Sequence, residues 1–154
     1  MKNLVLKLAM SFAIISFGFV AFAAVDAAVP APSVTPAPAG PKDLSEAMKA
    51  MSGNLKAISE QIQNKAMNAQ SAVLADQFVT AVGQSRAFFP KSIDGLAGKD
   101  QAAAKELYLK MIDQTADLGK QLAASFRAND NVKAVDLLNQ LVSHKKQGHG
   151  EFKQ

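Results

Sequence analysis

The chain has 154 residues, 49% of them hydrophobic, and contains no cysteine and no tryptophan. Seventeen basic residues against thirteen acidic ones give a formal net charge of +4, and no basic stripe with interleaved aromatics accompanies it, which argues against a nucleic-acid partner. The missing thiols exclude disulfides, cysteine-type zinc sites, thiol catalysis and thioether attachment of a cofactor, so an apolar core or a bound cofactor must hold the fold.

Lys2 and Lys7 make a positive start, and the chain then runs uncharged from Leu8 to Val25. Ala21, Phe22 and Ala23 put small residues at the two positions a signal peptidase reads, so residues 1–23 are expected to be an export signal cut before Ala24. A retained anchor is the alternative, since an apolar run of this length can span a bilayer. With the signal removed, 131 residues of net charge +2 remain, expected in a Gram-negative periplasm without stable membrane insertion. Residues 24–41 carry Pro30, Pro32, Pro36, Pro38 and Pro41. Proline removes amide donors and fixes φ, so this stretch reads as an extended Ala/Pro-rich linker.

Residues 42–154 show helical periodicity throughout and no strand alternation. A first helix is expected from Asp43 to Gln63, where Leu44, Met48, Met51, Leu55, Ile58 and Ile62 follow at spacings of 4, 3, 4, 3 and 4. Asp43 is placed to cap it, with Glu46 in the capping-box position. A second helix runs from Ala66 or Asn68 to Phe89, with Val73 or Leu74, Phe78, Val82 and Phe88 or Phe89 inward, and ends at Pro90. Residues 90–99 form the longest break, and Ile93 and Leu96 are expected to fold it back over the bundle end.

The third helix spans Asp100 to Ala128, with Leu107, Met111, Thr115, Leu118, Leu122 and Phe126 on its inner face. Asn129 or Asp130 caps the fourth, whose stripe is Val132, Val135, Leu138, Val142, Lys145, His149 and Phe152. Short connections between amphipathic helices predict an all-α, antiparallel up-down-up-down four-helix bundle.

That topology brings the start of the first helix and the end of the fourth to one end of the bundle. Met48 and His149 then share a layer, and a thioether with an imidazole suits the two axial positions of a haem iron. Each also has a plainer reading. Methionine fills gaps in helical cores, the expected role of Met51 and Met111. A terminal histidine complements the helix dipole. His144, about 140° around the helix from His149, is expected to face water. Lys145 is expected to snorkel, its stem against a cofactor edge and its charge wet.

The segment DLSEAMKAMSGNLKAI, residues 43–58, resembles the first helix of the cytochrome b-562 family of soluble periplasmic haem proteins. The shared pattern is Asp43, Leu44, Met48, Asn54, Leu55, Lys56 and Ile58. The ending HGEFK, residues 149–153, is similar to that family's ending, a histidine followed three residues on by an aromatic and then a base. The resemblance implies axial ligation of one non-covalent haem b by Met48 and His149. The related c-prime bundles carry CxxCH here, where this chain has Lys145 and Gly148 in place of the cysteines.

If the likeness holds, the haem lies among Leu44, Met51, Leu55, Leu107, Met111, Val142 and Lys145, and the function is electron transfer rather than catalysis. The partner is then an unidentified periplasmic redox protein, with an acidic docking surface facing Lys145, Lys146 and Lys153. No nucleophile–base–acid set or phosphate loop points to an enzyme. Two alternatives stay open: a haem-free helical binding or interaction module, and a five-coordinate haem protein taking small gaseous ligands.

Overall fold

The computed structural model describes residues 40–152, and the expected export signal and most of the linker lie outside the described residues. Among the described residues there are helices and no strands: α1 Leu44–Gln61, α2 Asn68–Ser85, the single turn α3 Lys91–Asp94, α4 Gly98–Arg127 and α5 Asn131–Phe152. They pack as an all-α bundle in which α1 lies on α2, α2 on α4, and α4 on α5. None of these helices is long and apolar enough to cross a membrane.

Local chemistry sets the helix boundaries. The Asp43 carboxylate accepts the Glu46 backbone N–H at 2.8 Å, and the Glu46 carboxylate accepts the Lys42 N–H at 2.9 Å, so two otherwise unpaired donors at the start of α1 are satisfied. A 3-10 turn, Lys65–Met67, links α1 to α2. The second helix stops at Ser85, four residues before the expected end. Pro90 has no N–H to offer the Arg86 carbonyl and disfavours a helical Phe89. The chain tightens instead into i→i+3 bonds at Arg86, Ala87 and Phe88.

At the end of α4, Asn129 adopts φ 57°, a left-handed conformation that asparagine tolerates better than most residues. This lets the Asn129 N–H reach Phe126 O at 3.0 Å and the Asp130 N–H reach Ser125 O at 2.9 Å, which closes the helix. Asp130 then caps α5, accepting the Lys133 N–H at 3.0 Å.

The core is built on Ile58, Phe78, Val82, Leu122, Phe126, Leu137 and Leu141, all buried. On α4 Met111, Leu122 and Phe126 are buried as expected, but the start of its inner face and the stripe of α5 lie about one residue from expectation. Tyr108 is buried where Leu107 was expected, and Ala134, Leu137 and Leu141 are buried where Val132, Leu138 and Val142 were expected. A small residue also contributes: Gly119 approaches α2 so closely that a Cβ there would lie 2.7 Å from Val79 Cγ2. A stripe read from bulky aliphatics misses such a seam.

The wider seam, between α1 and α5, is tied near both ends. At one end Asn131 Nδ2 donates to Ile62 O at 2.6 Å. Towards the other, Lys145 Nζ donates to Ser52 Oγ at 3.0 Å. The Asn131 end also holds a buried amide cluster. Asn68 Nδ2 donates to the side-chain oxygens of Asn129 and Asn131, each at 3.0 Å, and Asn131 Nδ2 donates back to Asn68 Oδ1 at 3.0 Å. Among the described residues no buried side-chain nitrogen or oxygen lacks a partner.

Candidate functional site: a cleft at the Met48–His149 end

A cleft of about 1230 Å³ opens where the first half of α1 faces the last turns of α5. Its wall from α1 includes Leu44, Met48, Met51 and Leu55, placed there by the 4–3–4–3 spacing of that helix. From α4 come Tyr108, Met111, Ile112 and Thr115, and from α5 Leu141, His144, Lys145, Gly148, His149 and Phe152. The segment between α2 and α3 adds the half-buried Phe88 and Phe89 and the buried Pro90. The lining is thus largely apolar and aromatic with a few polar groups, the usual make-up of a small-molecule site.

Of the residues singled out from sequence, Met48, His149, Leu44, Met51, Leu55, Met111 and Lys145 line this cleft. Leu107 and Val142 do not. Leu107 is 43% exposed and Val142 55% exposed, each on the outer side of its helix because the buried stripe runs one position away.

His144 departs from expectation in the opposite sense. It is half-buried in the cleft wall, with Nδ1 3.0 Å from Thr115 Oγ1 and Nε2 3.2 Å from Gln114 Oε1. The Thr115 hydroxyl donates to Met111 O at 2.8 Å. Its oxygen therefore accepts from His144, which places a proton on Nδ1. The signal was present in the sequence: Ala134, Leu137, Leu141, His144 and Gly148 recur at spacings of 3, 4, 3 and 4.

The last turn of α5 is held despite its two glycines. Ser92 Oγ, in α3, donates to Phe152 O at 2.6 Å. The Phe152 ring meets Tyr108 edge-on at 5.5 Å, and Tyr108 lies 5.7 Å from Phe89, arrangements that aromatic quadrupoles favour. The chain break at 90–99 therefore steadies the His149 end rather than merely connecting helices.

Burial pushes the Tyr108 phenol above its ordinary range, offset in part by a hydrogen bond with Ser85. A raised folded value favours the neutral phenol. Its contribution to stability is complete below the unfolded value of about 10 and is lost as pH rises through the folded one. Tyr108 is the sole tyrosine, so alkaline titration followed by tyrosinate absorbance reports it alone. The expected midpoint lies above that of the urea-unfolded chain, and coincident midpoints would contradict the burial argument.

Among the described residues no group of three or more His, Cys, Asp or Glu is placed to hold a metal ion. The cleft offers thioethers and imidazoles instead. A metal carried in a macrocycle asks the protein for only one or two ligands, and this donor set and volume fit such a group. The chain matches no family model, no curated protein and no solved structure.

Proposed function

We propose that this chain is a helical-bundle binding protein whose end cleft takes a flat, largely apolar ligand, and that the ligand is haem b. In this reading the four long helices run up-down-up-down, as in the cytochrome b-562 family, and the protein serves electron transfer in the periplasm. One observation carries it: Met48 and His149, from the first and last helices, line the same large apolar cleft. Those two residues would hold the iron, Met48 through its thioether and His149 through its imidazole. Haem held this way supplies one-electron transfer.

The chain's own contribution is to exclude water and fix orientation. Leu44, Met51, Leu55 and Met111 give the low-dielectric surroundings that, with a thioether ligand, favour the reduced state. Ser92 and the aromatic contacts of Phe152 keep the His149 turn in place. Lys145 and Lys146 provide positive charge for an acidic partner, whose encounter surface is expected to be small.

A haem-free binding or interaction module is the second reading. The lack of any carboxylate–histidine metal cluster among the described residues favours it, because an apolar cleft needs no metal to hold a ligand. An absorption spectrum of the protein from a periplasmic fraction separates the readings. A sharp reduced alpha band is expected. A broad high-spin spectrum would favour five-coordinate haem, and the lack of a Soret band after haem is added would end the cytochrome reading.

A further inference from the structure

The cleft carries a polar feature that neither axial ligation nor apolar packing uses. Lys145, on α5, donates to Ser52 Oγ on α1 at 3.0 Å, across the wider seam of the bundle, and both residues line the cleft. Ser52 is here an acceptor, and among the described hydrogen bonds its own O–H donates to nothing. Lys145 has two further N–H groups.

One hydroxyl donor and one ammonium donor thus sit side by side at the cleft wall. That spacing suits the two oxygens of one carboxylate, one accepting from Ser52 and the other from Lys145. Lys145 leaves the cleft wall with one more cation than anion. Lys49 and Lys91 also line the cleft, against Asp43 and Asp94, and the Asp43 carboxylate is already engaged in capping α1.

We propose that Ser52 and Lys145 form a carboxylate subsite, so that the cleft selects flat apolar ligands bearing an acid at their edge. The inference rests on the cleft being a ligand site but not on iron being ligated there. The ligand's apolar body lies among Leu44, Met51 and Met111, while its acid stays at the seam, where Lys145 remains exposed. Because that lysine is solvated, the preference it confers is moderate.

Metal-free protoporphyrin IX and its dimethyl ester test this on the purified protein, since they differ only in the acid groups and neither can be ligated by Met48 or His149. The free acid is expected to bind roughly tenfold more tightly at low salt. Lys145→Met, which keeps an unbranched apolar stem, and Ser52→Ala should each shrink that ratio towards one. Equal affinities in the unmutated protein, or variants that leave the ratio unchanged, would overturn the subsite. A preference for the acid alongside iron protoporphyrin that shows no axial ligation would leave the subsite standing and remove the haem reading. Failure of both porphyrins to bind would overturn the subsite, and the haem reading would then stand or fall on the spectrum with iron protoporphyrin.

Discussion

His149→Ala is expected to lower haem affinity by on the order of a hundredfold or more, whereas Met48→Ala should leave haem bound and change its spectrum from low spin to high spin. The asymmetry follows from the ligands. An imidazole is a strong σ-donor fixed on a helix whose last turn is tied down by Ser92 and by the Phe152–Tyr108 contact. A thioether is a weaker ligand on a flexible side chain. Removing a ligand's mere supporting partner already costs 10–100-fold in typical metal sites, so losing the ligand itself should cost at least the upper end of that range.

His144→Gln is the control. That imidazole is engaged through Nδ1 by Thr115 and lies beside the Gln114 amide, so the low-spin spectrum should persist without it. Loss of the spectrum in His144→Gln and its survival in His149→Ala would move the ligand to the other histidine.

Asn68→Leu should destabilise the bundle by about 3 kcal/mol, with no comparable effect on the cleft. Asn68 is 4% exposed and takes part in three side-chain hydrogen bonds with Asn129 and Asn131. Leucine is close to asparagine in size but offers no partner, so the Asn131 amide keeps its bond to Ile62 O and loses the rest. An orphaned buried polar group costs about 1–3 kcal/mol, and the closing turn of α4 loses its tether to α2 as well. For a domain with about 5–15 kcal/mol in total, the melting temperature should fall by roughly 10 °C. Thermal unfolding followed by circular dichroism measures this, and a shift under about 2 °C would mean that the cluster is better hydrated than its burial implies. Porphyrin binding to the folded variant should be unchanged, since the amide cluster and the cleft lie at different ends of the α1–α5 seam.

The helical class and the run of α1 were legible because that helix repeats bulky apolar residues at unbroken 4–3 spacing and begins with an aspartate–glutamate cap. The inner faces of α4 and α5 were less so. There Gly119, Ala134 and Ser125 are buried, and small residues carry little weight in a hydrophobic pattern although they permit close helix approach. Counting valines therefore turned α5 by about one residue, put Val142 inside, and sent His144 out to water. The amide cluster was also invisible, because Asn68 and Asn131 look like ordinary helix-start residues until the fold brings them together. Ile93 signalled that the stretch at 90–99 folds back on the bundle and is buried, whereas Leu96 is exposed and the reach of Ser92 to the end of α5 left no mark in the pattern.

The loosely packed side of the bundle has a kinetic corollary. Two hydrogen-bonded clasps at separate heights leave a slot flanked by helices, so a planar guest can slip in sideways after releasing only the Lys145–Ser52 clasp. Loading and escape should then proceed without melting the protein, and their rates should respond to loss of that clasp in Ser52→Ala more than to changes in global stability.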